Sequence, residues 1–183
     1  MIQFNYNPLK AKAALLLISS RLRGEGIEAG FHKVFKILYG AERSHLVDWG
    51  RPIVSDSFIR MKNGPVPSSI YDTAKEVKLT RDNAKHSAVG FRVDGGYRII
   101  PVSEPDTDQL SPSDIGYIET SIEENKHLSH DELTRKYHGL AWKNTLANTG
   151  ISWELIAKEG GASSEALQHI AENSHAEHLY QCC

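Results

Sequence analysis

Four potential metal ligands lie near the end of the chain at roughly helical spacing: His175, His178, Cys182 and Cys183. Imidazole and thiolate groups are good ligands for zinc and nickel. However, no second ligand pair flanks them at the spacing of a zinc finger, and the ends of chains fray. We therefore predict that the chain holds no structural metal ion.

Acid–base chemistry is a second possibility, because His130 precedes two carboxylates. The spacing of Ser129 and Glu132 is also that of a capping box, in which both side chains bond backbone N–H groups at the start of a helix. The glycines of GEGIEAG lack the spacing of a dinucleotide-binding loop, and the sequence contains no nucleophile elbow, P-loop or HExxH motif. We therefore predict a protein that is not an enzyme, with no catalytic residues and no cofactor.

A nucleic-acid contact is the third possibility. The alternating segment Val89–Pro101, with Asp94 and Gly95 at its turn, predicts a β-hairpin that carries Arg92 and Arg98 on its strands. Such a hairpin could act as the wing of a helical DNA-binding module. The sequence pI of about 6.5 and the lack of a Lys- and Arg-rich helix make DNA binding the less favoured interpretation.

Helices must position all of these residues. Asn7 and Pro8 fit the cap and first position of one helix, and Ser111 and Pro112 fit those of another. Apolar spacing predicts further helices in GFHKVFKILYGAERSHLVDWG, Ile70–Lys78, the segment after Ser129, ISWELIAKE and SSEALQHIAENSHAEHLYQ. Leu9 and Trp49 are expected in buried apolar stripes, and Trp142 is expected to pack in the core. The fold class is therefore mainly α, a single compact helical domain with an inserted β-hairpin at Val89–Pro101.

The stretch IRMKNGPVPSSIYD concentrates stiff residues between two helices. Asn63 and Gly64 are typical of a turn, and Pro65 and Pro67 each fix φ and lack an N–H donor. The preceding RPIVSDSFIRMK is expected to be an extended link. We predict a rigid elbow that sets the direction of the following helix.

Charge is unevenly distributed along the chain. Residues 1–100 contain 16 Lys and Arg against 9 Asp and Glu, whereas residues 101–183 contain 5 against 14. This asymmetry indicates either a basic face for nucleic acid or an acidic partner, or two solvated faces that attract each other. No apolar run approaches the roughly 18 residues of a membrane span, and no signal peptide or disulfide framework is evident. We expect a cytoplasmic protein without a membrane partner.

Several motifs in the right order resemble the Panacea domain, also called the SocA-like antitoxin domain. They are KILY, GRPI, K-x-GPVP-x-x-x-Y (from Lys62 to Tyr71), LSPSDIGYIETSIEEN, and LSH with the later Trp142 and Lys143. The resemblance covers roughly Ala29 to Lys158. It implies a mainly helical domain with a small β element, and a non-enzymatic antitoxin that binds and neutralises a cognate toxin protein.

The resemblance leads to expectations for organisation and partners. Residues 1–160 are expected to form the Panacea-like domain, and residues 161–183 a C-terminal helical extension. The apolar stripe of that extension could pack on its own domain or on a partner, including a second copy in a homodimer: Leu167, Ile170, Ala171 and Leu179. A DNA-binding regulator, or an interaction protein of a phage or mobile element, stays an alternative. The partner-binding residues are expected at the elbow and its flanks: Arg60, Lys62, Asn63, Gly64, Pro65 and Tyr71.

Overall fold

The computed structural model describes residues 2–180. Nine α-helices and two antiparallel hairpins lie within that part of the chain, which confirms the mainly α fold with inserted strands. In order, the elements are α1 (Pro8–Gly24), α2 (Phe31–Trp49), β1 (Phe58–Met61), β2 (Gly64–Pro67), α3 (Ser68–Leu79), α4 (Asn83–Val89), β3 (Phe91–Asp94), β4 (Arg98–Pro101), a 3₁₀ turn (Thr107–Gln109), α5 (Pro112–Asn125), α6 (His130–Tyr137), α7 (Leu140–Lys143), α8 (Trp153–Glu159) and α9 (Ser164–Tyr180).

Helix α2 lies at the centre of the fold and packs against α1, α5, α6, α8, α9 and β2. The predicted caps of α1 and α5 are confirmed, because Asn7 and Ser111 accept hydrogen bonds from the first turns of these helices. Leu9 and Trp49 are not in the core, and both predictions were wrong: their side chains are 60% and 53% exposed. Each lies in a terminal turn of its helix. The apolar pattern of the helix continues into that turn, but the neighbouring elements leave most of the side chain uncovered there.

The predicted elbow is itself a β-hairpin, so the fold has two hairpins rather than one. β1 pairs with β2 in the register Phe58↔Pro67 to Met61↔Gly64, and only Lys62 and Asn63 form the turn. The segment predicted as an extended link therefore ends in a strand. The one hairpin that was predicted, at Val89–Pro101, is confirmed as β3 and β4, with Asp94 and Arg98 paired beside its turn, although Val89 itself belongs to α4.

Helix α9 packs against α2 and α8, which corresponds to the first of the two alternatives considered for its apolar stripe, packing on its own domain. Ile170 is fully buried, Ser174 bonds with the backbone of Gln3, and the Asn173 amide donates to the Gly50 carbonyl. Ala171 and Leu179, however, are exposed, so the buried stripe is narrower than predicted. No helix in the described part of the chain is long and apolar enough to cross a membrane.

Candidate functional site

The side chain of Lys36, on α2, packs against the inner side of the first hairpin (β1 and β2). Gly64 has φ +104°, and a Cβ atom there would lie 2.7 Å from Lys36 Cε. The Lys36 side chain is almost completely buried, and its Nζ donates a hydrogen bond of 2.8 Å to the Pro65 carbonyl. Burial lowers the pKa of Lys36 to about 7. The packing of this one side chain explains why the elbow requires glycine at position 64.

Two buried carboxylates fix the chain on either side of the hairpin. Asp56 accepts hydrogen bonds from the N–H groups of Ser69 and Ile70, and so caps α3 from thirteen residues upstream. Glu42 accepts 2.7 Å bonds from the N–H groups of Ile53 and Val54. Burial raises the pKa of both carboxyl groups, that of Glu42 to about 7. The direction of α3 is therefore set by buried hydrogen bonds as well as by the stiff prolines.

One flank of the hairpin carries a stack of three side chains. The Arg60 guanidinium lies 4.0 Å from the ring centroid of Trp142, and the His138 ring stacks on Trp142 at 3.8 Å. The Trp142 indole N–H donates to the Met61 carbonyl, which attaches α7 to β1. Burial lowers the pKa of His138, and the charges of Lys36, Arg60 and Lys143 lower it further.

The other flank is a shallow groove of about 230 Å³ between the hairpin, α2 and α3. Tyr71 packs edge-on against Phe31 and Phe35 along its floor. A larger groove of about 600 Å³ adjoins it and shares Phe31 and His32 with it. His32 Nε2 lies 3.3 Å from the Asn63 carbonyl oxygen, and the His32 ring stacks on His130. Together these surfaces form a mostly apolar concave face beside the hairpin turn.

The six expected partner-binding residues do not form one uniform patch. Lys62 and Asn63 are exposed at the hairpin turn, and Arg60 and Tyr71 are half-buried on opposite flanks. Gly64 and Pro65 are buried and contact Lys36, so neither residue is exposed for direct contact with a partner. Sequence reasoning missed Lys36, Asp56 and His138. Trp142 was noted only as part of the family motif and was assigned to core packing, although it is half-buried beside Arg60.

The other candidate residues have structural partners or lie outside the described part of the chain. The Ser129–Glu132 capping box is confirmed, and His130 is an exposed residue 3.4 Å from Asp131. Among the residues that the structure describes, no group of three or more His, Cys, Asp or Glu could hold a metal ion. Cys182 and Cys183 lie outside the described residues. Arg98 pairs with Asp94 and Glu28.

A comparison with models of known protein families identifies the family of this chain. The model of the SocA-like antitoxin, Panacea domain family matches residues 34–143, more than half of the chain. The chain belongs to the SocA-like antitoxin, Panacea domain family. No curated protein and no solved structure matches it. The Panacea match begins in the first turn of α2, includes both hairpins, and ends with α7. The core also uses residues outside the match: Leu16, Ile18, Ile156 and Ile170.

Proposed function

We propose that this protein is an antitoxin that neutralises a partner toxin protein by binding it directly, without catalysis. The observation that carries the proposal is the match of residues 34–143 to an antitoxin domain family. The site supports it, because its buried groups maintain a shape while its exposed groups are free to contact another protein. We place this activity in the cytoplasm.

The hairpin turn and its flanks are the proposed toxin-binding face. Gly64 and Pro65 act indirectly, because they fix the turn above Lys36. Lys62 and Asn63 protrude from that turn, and within the described residues neither of their side chains forms an ion pair or a hydrogen bond, although His32 contacts the Asn63 carbonyl. Arg60 and Tyr71 present half-buried surfaces next to aromatic rings, a combination that is enriched at protein interfaces.

We also propose that residues 1–160 form the binding domain and that residues 161–183 are a stabilising extension. Ile170 and Ser174 attach α9 to the domain, and Ser174 contacts the N-terminal segment through Gln3. In this arrangement the buried side of α9 is occupied by its own chain. A homodimer would therefore have to use another surface.

Co-expression tests the proposal. The reading frame adjacent to this gene is expressed alone and together with the protein, and growth and co-purification are measured. We expect a neighbour that stops growth alone, is harmless in the presence of this protein, and co-purifies with it. Failure to rescue growth from any adjacent toxic reading frame would reject the antitoxin function.

DNA binding is measured on the same preparation with a fragment of the gene's own promoter. A regulator would bind with an affinity that falls steeply with salt concentration, because cationic side chains displace counterions from the phosphates. Arg98 is held by Asp94 and Glu28, which leaves Arg92 as the exposed arginine of the second hairpin. We expect only weak binding that does not depend on sequence.

A further inference from the structure

Three cationic side chains around the first hairpin have no carboxylate partner. Within the described residues, Arg60, Lys62 and Lys143 form no ion pair, whereas Lys126 at the end of α5 and Lys136 on α6 each contact a glutamate. Lys62 and Lys143 are exposed, and Arg60 Nε is a buried donor without an acceptor. Exposed cations without a carboxylate partner, such as Lys62 and Lys143, are groups that a partner could pair with.

The geometry places these cations around Trp142, with Arg60 over its ring. Arg60 lies on Trp142, and Lys143 follows Trp142 directly at the end of α7. The charges of Arg60 and Lys143 both act on His138, which stacks on the same indole. Since the Trp142 indole donates to the Met61 carbonyl beside the turn, α7 and the hairpin that carry these cations are held next to each other.

Exposed apolar side chains border the same surface. Leu140 is 44% exposed and lies one helical turn before Lys143, and Leu146 is 78% exposed. The turn from Leu146 to Thr149 is paired with β1, because Asn148 N–H donates to the Arg60 carbonyl and Arg60 N–H donates to that of Thr149. We call Arg60, Lys62, Leu140, Trp142, Lys143 and Leu146 the cationic patch.

The carboxylate that contacts α7 is not available to neutralise this patch. Glu159 accepts the Ala141 N–H, but its side chain is only 6% exposed. The same carboxylate also accepts hydrogen bonds from Tyr39 and Arg43. The positive charge of the patch is therefore left facing solvent.

We propose that the cationic patch binds an acidic, amphipathic segment of the toxin. Carboxylates would pair with Lys62, Lys143 and the Arg60 guanidinium, and apolar side chains would cover Leu140 and Leu146. This inference rests on the proposed antitoxin function and names the chemistry of the contact. A protein segment fits better than nucleic acid, because exposed leucines would add nothing to the binding of phosphates.

Charge reversal separates this inference from the proposed function. The double variant Lys62→Glu/Lys143→Glu is compared with the matched control Arg81→Glu/Arg92→Glu, whose two arginines are exposed and unpaired elsewhere on the surface. Melting temperatures are measured first to establish that both variants fold. With the toxic neighbour as the ligand, we expect the first variant to lose at least about tenfold in affinity and the control to bind like wild type.

The outcomes are distinct. If the wild type rescues growth and the Lys62/Lys143 variant rescues and binds equally well, the patch inference is wrong and the antitoxin function stands. If the wild type rescues nothing, the antitoxin function itself fails. Loss of binding in the Arg81/Arg92 control alone would move the contact to the α3–β3 side of the molecule and overturn the patch inference.

A second experiment tests the cationic patch without the toxin. A synthetic peptide that alternates Glu and Leu, a Lys and Leu peptide of equal length, and a short single-stranded DNA are titrated separately into the ¹⁵N-labelled full chain. We expect the acidic peptide alone to shift the Trp142 indole resonance, and the Lys62→Glu/Lys143→Glu variant to abolish that shift. A larger shift with DNA than with the acidic peptide would contradict a protein partner for the patch.

Discussion

Lys36 Nζ lies beneath the first hairpin and donates a 2.8 Å hydrogen bond to the carbonyl oxygen of Pro65. The two residues come from the central helix and from the proline-rich strand, so this bond joins the core to the surface that we assign to toxin binding. Burying the charged ammonium group of Lys36 is unfavourable, because it loses its hydration. Burial therefore lowers the pKa of Lys36 to about 7.

The burial of Lys36 makes stability depend on pH. Between the lowered pKa of about 7 and the ordinary value of 10.5, the unfolded chain binds a proton at Lys36 that the folded chain has lost. The free energy of unfolding therefore rises with pH in this interval, by up to about 1.4 kcal/mol per pH unit from this group. In Lys36→Met that contribution disappears. Urea unfolding of both proteins at several pH values from 7 to 10 measures the difference.

Lys75→Met provides the control, because Lys75 is exposed on α3, where it pairs with Asp72 and lies 4.8 Å from the ring centroid of Tyr71. We expect its pH profile to parallel that of the wild type. Parallel profiles for the wild type and Lys36→Met would show that Lys36 keeps its ordinary pKa in the fold.

Gly64→Val is expected to destabilise the protein. Its φ of +104° disfavours any L side chain, and the new Cβ would press on Lys36 Cε. We expect a loss of roughly 1–3 kcal/mol, measured as a lower melting temperature. Gly116→Ala is the contrasting change, because Gly116 lies within α5 and a Cβ there meets no atom within 4 Å. We expect that variant to gain up to about 1 kcal/mol. Equal melting temperatures for the two variants would refute the role of Gly64.

Much of the local structure could be predicted because its causes are local. The caps at Asn7, Ser111 and Ser129 depend on residues within one helical turn, and each was predicted correctly. A turn at this place follows from the same kind of reasoning, although it consists of Lys62 and Asn63, one residue earlier than the predicted Asn63–Gly64 pair. The predicted burial of Leu9 and Trp49 was wrong, because spacing within one helix does not show where the neighbouring elements end.

The first hairpin was missed because Pro65 and Pro67 looked incompatible with a strand. In a two-residue hairpin, Met61 and Gly64 form the hydrogen-bonded pair next to the turn, and the pairs then alternate. Both prolines therefore occupy positions where β1 needs no N–H donor. The Pro65 carbonyl is then free to point away from β1 and to accept the bond from Lys36.

The site could be predicted only in part. The turn residues were found because glycine and proline mark them, but the partners that give the site its shape are distant in sequence. Arg60 and Trp142 are separated by most of the family match, and Asp56 caps a helix that begins twelve residues later. No local pattern marks such pairs, so sequence reasoning assigned Trp142 to the core.

Helix α9 should contribute to stability through one side chain. Ile170 is fully buried, so Ile170→Ala is expected to cost about 2–5 kcal/mol through lost burial and the resulting cavity. Leu179→Ala on the same helix should change the melting temperature little, because Leu179 is 58% exposed. Toxin binding at low temperature should survive both changes. If Leu179→Ala abolished binding while Ile170→Ala left stability intact, α9 would be a partner-binding helix instead.

Hydrogen–deuterium exchange of the wild-type chain, alone and saturated with its toxin, tests the central claim most directly. If the hairpin and α7 form the binding face, amides in residues 59–66 and 139–149 should exchange more slowly in the complex, while those of β3, β4 and α9 should not change. Binding of the toxin without protection of residues 59–66, or with protection confined to α9 or to the second hairpin, would contradict the account.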